Sequence, residues 1–344
     1  MDKIPVAIVG ATGMVGQRFI SQLINHPKFF ISEIASSSKT AGQYYGDVVS
    51  WKLNTPLPDS IKNMRLLKGG DPLQSQIIFS SMPASPAVKI EKKYATEGHY
   101  VISNSSAYRM DTKVPLVIPE VNPDHILMVK KQGTSGGIIT NCNCAAMFLS
   151  LVIAPLHYNF TVTSVQATTL QAVSGAGYPG VSSLDILGNV IPLPEEELKI
   201  EKEIKKILGS IEKNSFVPAK FPVSAQCHRV PVIDGHTETL SIGLSDSPTN
   251  SQISEILKSF QGLPQKASFY SAPQQPIIVL EDPERPQPRL DVNTMNGMVA
   301  LVGRIRPCSV LTFKMIVLGH NLLRGAASAA ILNAETLIHY GIIS

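Results

Sequence analysis

A chain of 344 residues with 44% hydrophobic and only 16% charged side chains can bury large sheets, which excludes a disordered protein and suits two cores better than one. Its formal net charge of +4 is spread along the sequence without a long Lys/Arg block, so a nucleic-acid partner is not expected, whereas an anionic small molecule suits the balance. No run of about 18 apolar residues occurs and the N-terminus enters a strand-like run directly, so neither a membrane span nor a signal peptide is expected and the protein reads as cytoplasmic.

The first element, from Ile4 to Gly10, reads as a buried parallel-type strand. GATGMVG follows, and then Val15, Phe19, Ile20, Leu23 and Ile24 recur at helical spacing, so the opening unit is strand, glycine turn, helix. Further strands are expected from Ile31 to Ser36, Gln76 to Phe79 and Tyr100 to Ser103. Strands alternating with helices at this interval predict a parallel, doubly wound sheet built from right-handed crossovers.

A helix is expected from Ala145 to Ile153, stopped by Pro155. Strand-like segments then run from Val162 to Ala172, His236 to Gly243, Pro276 to Leu280, Met298 to Ile305 and Phe313 to Leu318. They lie too close together for a helix between every pair, which predicts an antiparallel or mixed sheet from about Cys142 to Gly319. PEEELKIEKEIKKILG reads as an exposed helix with ion pairs at i,i+4 spacing such as Glu201 with Lys205. A closing helix from Gly325 to Tyr340 is expected to pack back on the first domain.

Gly10, Gly13 and Gly16 form GxxGxxG at the first strand-to-helix junction. Positions without side chains let backbone approach a pyrophosphate, whose charge meets helix N-terminal amides; the plainer alternative is a tight turn with no ligand. An NAD site would place a carboxylate at the end of the second strand, to hold the ribose hydroxyls. Here that place reads Ala35-Ser36-Ser37-Ser38-Lys39, whose hydroxyls and ammonium suit a 2′-phosphate, so NADP(H) is the expected cofactor.

Four cysteines, Cys142, Cys144, Cys227 and Cys308, stand at irregular spacing and make no disulfide framework. Paired metal-ligand spacing is missing too, so no metal is expected. Cys144 begins the apolar helix, where unpaired N–H groups and the positive end of the dipole favour thiolate, and Cys142 sits earlier without that advantage. The bland alternative for either is a small buried hydrophobe. A thiol nucleophile needs a base, and HRVPVIDGHTETL offers His228 and His236, which chemistry alone does not separate, together with Arg229 for an anionic group.

Taken in order, IVGATGMVGQRF, VISNSSAYRM, PLVIPEVN, TLQAVSGAGYPG, EIKKILG, RVPVIDGH, RPQPRLDV with GRIR, and NLLRGAA give the chain a nearly full-length resemblance to the archaeal and fungal branch of the aspartate-β-semialdehyde dehydrogenases. Members of that family reduce β-aspartyl phosphate with NADPH to the semialdehyde and phosphate, on the path to lysine, threonine and methionine. The resemblance implies an α/β fold: a doubly wound Rossmann-type NADP-binding domain at 1–141, completed by a C-terminal helix at 320–344, and an α+β catalytic and dimerisation domain with a mixed sheet at 142–319. It also implies a homodimer or homotetramer.

By the same resemblance Cys144 is the nucleophile and His236 the acid/base that helps deprotonate it, which settles the choice against His228. Asn143, with backbone N–H near Cys144, would stabilise an oxyanion and Gln171 orient the acyl intermediate. Arg229 and Glu203 would hold the substrate's α-carboxylate and α-amine, and Arg109 and Lys206 its phosphate. Gly10, Thr12, Gly13, Met14, Val15, Gly16, Ser37, Ser38, Ser174, Gly175, Gly177 and Asn321 would line NADP.

Three positions depart from the family pattern: Cys142 stands where proline is usual, Ala145 where serine or threonine is, and His320 where aspartate precedes Asn321. The alternatives are a malonyl-CoA reductase, which would alter the frame before the cysteine and the amine-binding glutamate, and a non-catalytic NADP-sensing protein, which would keep the glycines without a reactive thiol.

Overall fold

The computed structural model describes residues 3–343. Its first sheet is formed by Ile4–Val9 (β1), Phe29–Ser36 (β2), Leu67–Lys68 (β3), Ile77–Ser80 (β4), Tyr100–Ser103 (β5) and Gly137–Thr140 (β6). All pairings are parallel, in the order β3-β2-β1-β4-β5-β6. The near-continuous apolar runs of β1 and β4 follow from burial on both faces. The order reverses between β1 and β4, and in open α/β sheets such a reversal opens a ligand crevice at the strands' C-terminal ends. β3 and β6 were not legible in the sequence, being two and four residues long without a pattern of their own.

Two helices of this unit are Met14–Leu23 (α1) and Ala84–Thr96 (α2), and α1 buries Phe19, Ile20 and Leu23 as their spacing predicts. The unit comprises Met1–Leu116, Asp124–Asn141 and Ala326–Ser344, and a second unit comprises Val117–Pro123 and Cys142–Gly325. Nothing in the sequence pattern marks the short excursion at Val117–Pro123.

The second unit contains a seven-stranded mixed sheet. Its strands are Val162–Gln171 (β7), Ile191–Pro192 (β8), Val223–Arg229 (β11), His236–Leu244 (β12), Ile277–Leu280 (β13), Ala300–Pro307 (β14) and Phe313–Gly319 (β15). A separate hairpin pairs Ser210–Glu212 (β9) with Ser215–Val217 (β10). The sheet order is β13-β14-β15-β12-β7-β11-β8. β11 was missed because VSAQCHR alternates buried and exposed positions using small and polar residues, so its inward face carries little apolar signal.

Two helices here depart from expectation. Cys144–Phe160 (α3) runs through Pro155 instead of stopping at it. A proline inside a helix costs about 3 kcal/mol, but Ala145 through Leu156 are all buried, and packing on every side outweighs that local penalty. Pro194–Ile207 (α4) is not simply an exposed ion-pair helix, because Ile200, Glu203, Ile204, Lys206 and Ile207 are buried against β11 and α3. The Glu201 carboxylate accepts the Ala225 N–H at 3.0 Å and Glu197 the Cys227 N–H at 3.1 Å, so the acidic face of α4 caps a strand.

Asn250–Ser259 (α5) packs on β13 and β14. After β15 a wide turn, Leu323–Ala327, leads into Ser328–His339 (α6), whose sides are nearly all buried and which rests on β5 of the first unit's own sheet.

Candidate active site

In the first unit each glycine of the turn has its own reason. Gly10 has φ +86°, a left-handed value that suits glycine, and its N–H reaches Ala35 O at 2.9 Å. At Gly16 a Cβ would lie 2.3 Å from Gly10 O, so α1 packs on the turn only because that atom is absent. Gly13, the N-cap of α1, is exposed and would seat a Cβ 3.5 Å from Gly10 O, an ordinary contact. Gly13 brings no side chain to cap α1, and Thr12, Met14 and Val15 beside it are half-buried. This backbone fits a pyrophosphate. Ser37 and Ser38 are exposed just beyond β2, in a stretch, ASSSKTAG, that carries no carboxylate, which fits a 2′-phosphate. Arg109 belongs to this unit and donates through Nη2 to Asn104 O at 2.8 Å.

In the second unit Cys144 is the first residue of α3. Asn143 caps the helix, its Oδ1 accepting the N–H of Ala145 at 2.9 Å and of Ala146 at 3.4 Å. The Cys144 Sγ lies 3.0 Å from His236 Nε2. Cys142 is buried, whereas Cys144 is half-buried. His236 opens β12, and His228, on β11, is not the imidazole on the sulfur.

His236 is fully buried, and burial, then Arg229, then His320, push its pKa down to about 3. Its Nδ1 accepts the Ala172 N–H at 3.1 Å. That bond puts the single proton of a neutral imidazole on Nε2, facing the sulfur. Nε2–H therefore donates to Sγ, and an imidazolium would turn a second N–H against the Ala172 amide. This geometry stabilises a thiolate on Cys144.

Arg229 is buried at the end of β11, its Nη1 donating to Ala172 O at 2.7 Å, and burial lowers its pKa while negative charge on Cys144 opposes the shift. Gln171 is its register neighbour on β7 and donates to Thr169 Oγ1 at 3.2 Å. Gly175 keeps the space beside Arg229 and His236 clear, since a Cβ there would lie 2.8 Å from Arg229 Nη1 and 3.2 Å from His236 Cε1. Gly177 closes the same loop with φ +77°. The Ser174 hydroxyl accepts Asn321 Nδ2 at 2.9 Å, and Asn321 Oδ1 accepts the Gly235 N–H at 2.9 Å, tying that loop to the residue before His236.

Glu203 is buried and its Oε2 accepts the Asn143 N–H at 2.5 Å, while Lys206, also buried, holds its ammonium 4.6 Å from the centre of the Phe216 ring. Cys144, His236, Asn143, Gln171, Arg229, Glu203, Lys206, Ser174, Gly175, Gly177 and Asn321 thus share the second unit, whereas the glycine turn, Ser37, Ser38 and Arg109 belong to the first. Two contributors escaped sequence reasoning. The Ala172 amide has no side-chain signature, and Gly325, in the wide turn, would drive a Cβ to 2.9 Å from the Cys144 Cβ, a contact no spacing rule reveals.

The chain matches two family models, "semialdehyde dehydrogenase, NAD binding domain" over residues 5–129 and "semialdehyde dehydrogenase, dimerisation domain" over residues 153–324. Fold and matches together define a semialdehyde dehydrogenase of two-domain build. Among its relatives, the aspartate-semialdehyde dehydrogenase of Methanothermobacter thermautotrophicus is 44% identical, covering 96% of this chain and 98% of that one. The Schizosaccharomyces pombe enzyme of the same name is 43% identical over 98% and 99% of the two chains. The crystal structure of aspartate semialdehyde dehydrogenase with NADP from Candida albicans superposes with a TM-score of 0.92 at 41% identity, covering 99% of this chain and all of that one. This chain belongs to the aspartate-semialdehyde dehydrogenase family.

Proposed function

We propose that the protein is an NADPH-dependent aspartate-semialdehyde dehydrogenase that reduces β-aspartyl phosphate to the semialdehyde and phosphate through a thioester on Cys144. One observation carries the chemistry: a half-buried thiol at a helix N-terminus with an imidazole Nε2–H 3.0 Å from its sulfur. As thiolate, the sulfur attacks the acyl carbon, the C–O bond to phosphate breaks, and the departing phosphate takes its proton from solvent. His236 holds the sulfur's charge before attack and as the thiolate is released. Arg229 receives the substrate's α-carboxylate and Glu203 its α-amine, with Gln171 orienting the acyl group and Arg109 and Lys206 taking the phosphate.

NADPH, when bound, supplies the hydride. Gly10, Gly13, Gly16 and the amides of α1 would hold its pyrophosphate, Ser37 and Ser38 its 2′-phosphate, and Ser174, Gly177 and Asn321 its nicotinamide end. The NADP named with the Candida albicans structure supports that choice.

A second copy of the chain completes the reading. Leu184 is 90% exposed and Leu187 68%, and Val190 and Ile233 are exposed as well, apolar side chains that dimerisation would cover. A thiol that must stay reduced suits the cytoplasm.

Aspartate semialdehyde, phosphate and NADP should yield NADPH with the wild-type protein, and Cys144→Ser should yield none. Equal rates from the two proteins would reject the mechanism, and turnover of malonyl-CoA in preference would reject the substrate.

A further inference from the structure

Glu196 and Glu203 stand seven residues apart on α4, two helical turns, and so share one face. Both reach Asn143: Glu203 Oε2 accepts its backbone N–H and Glu196 Oε2 accepts its side-chain Nδ2, each at 2.5 Å. The residue before the nucleophile is thus clasped by two carboxylates.

The Glu203 contact is the same for either orientation of the Asn143 amide. The Glu196 contact is not. In the observed orientation Oδ1 faces the N–H groups of Ala145 and Ala146 and Nδ2 faces Glu196. A flipped amide would set its NH₂ against two helix N–H donors and its oxygen against a carboxylate, so every one of these contacts would become repulsive. Glu196 is itself held, through Oε1, by Lys199 at 2.6 Å.

We propose that Glu196 is a positioning residue that locks the Asn143 amide and, through the cap it makes on α3, seats the Cys144 thiol. The proposal rests on the thioester reading above, but its consequence for the thiol does not need substrate. Unlatched, Asn143 samples the flipped state, the first turn of α3 loses its cap, and the sulfur loses its register against His236 Nε2.

Two readouts test this. Glu196→Ala should lower kcat between about tenfold and a hundredfold while leaving NADP affinity unchanged. In the absence of substrate it should also slow iodoacetamide alkylation of Cys144 and move the alkylation profile to higher pH. Glu196→Gln, which still offers an acceptor to Nδ2, should recover both. Asn143→Asp keeps the cap but opposes Glu196, so it should be slow, and adding Glu196→Gln to it should restore much of the rate. This last pair keeps the test open if Glu196→Ala fails to fold.

A wild-type alkylation profile in Glu196→Ala, or a Gln variant as impaired as Ala, would overturn the proposal. Because alkylation needs no acyl phosphate, an inactive wild type in the substrate assay would count against the thioester reading and leave this result standing by itself.

Discussion

The chemistry assigned to His236 turns on one backbone hydrogen bond. With Nδ1 occupied by the Ala172 N–H and burial holding the ring's pKa at about 3, the imidazole beside the uncharged thiol is itself neutral and presents a donor. Glutamine can place an N–H near the position of Nε2 and alanine cannot. His236→Gln should therefore retain at least about tenfold more activity than His236→Ala, with the acid limb of kcat/KM at the wild-type midpoint. Equal loss in both variants, or a displaced limb, would show that the ring acts as a base. At this scale the sequence was informative about type and poor about contacts. The thiol's place at a helix start was legible in NCNCAAMF, whereas its asparagine cap was not. The tautomer was not, since it depends on the chain passing Ala172 within 3.1 Å of a residue 64 positions later.

Among elements, the β1–α1 junction separates a fold requirement from a ligand requirement. Gly16→Ala forces a Cβ to 2.3 Å from backbone oxygen and should destabilise the first unit, lowering the melting temperature by several degrees (about 1–3 kcal/mol). Gly13→Ala meets only ordinary contact, so its melting temperature should stay near wild type while NADP affinity drops, as calorimetric titration would measure. A Gly13→Ala protein with wild-type affinity would remove the pyrophosphate from this turn. Strands with strong apolar runs were readable, and those built from small or polar residues, such as VSAQCHR, were not. Pro155 and α4 show the same lesson from the helical side: burial overrode a local breaker in one and claimed half of a charged face in the other.

For the molecule as a whole, buried His26 and His236 weaken the fold as pH falls, while buried Glu91 and Glu238, whose pKa values burial raises, act with the opposite sign. Burial, with Lys28 and Lys3, pushes His26 down to about 4, and this outweighs the Glu335 carboxylate 3.7 Å from its Nε2. His236 sits at about 3. Both pKa values are depressed below the unfolded value of 6.5, so the unfolded chain binds more protons under that pH. Their contribution is complete above 6.5 and is lost as pH falls toward 4 and then 3. Between pH 6.5 and 4 the melting temperature of His26→Gln should fall less, relative to its value at neutral pH, than that of the wild type; an unchanged difference would show that His26 titrates normally. Assembly belongs to this scale too. Leu184→Asp with Leu187→Asp should shift sedimentation toward the monomer without loss of secondary structure, and an unaltered oligomer would place the interface elsewhere. The division into a parallel and a mixed sheet was legible from strand spacing. The excursion at Val117–Pro123 was not, because it follows from tertiary contacts alone.

The central claim is a covalent one, and intact-protein mass spectrometry after mixing with β-aspartyl phosphate, without NADPH, tests it most directly. One aspartyl group, removable by hydroxylamine, is expected on the wild type and on Cys142→Ala, and none on Cys144→Ser. An adduct that survives Cys144→Ser, or NADPH oxidation by that variant at the wild-type rate, would contradict the account.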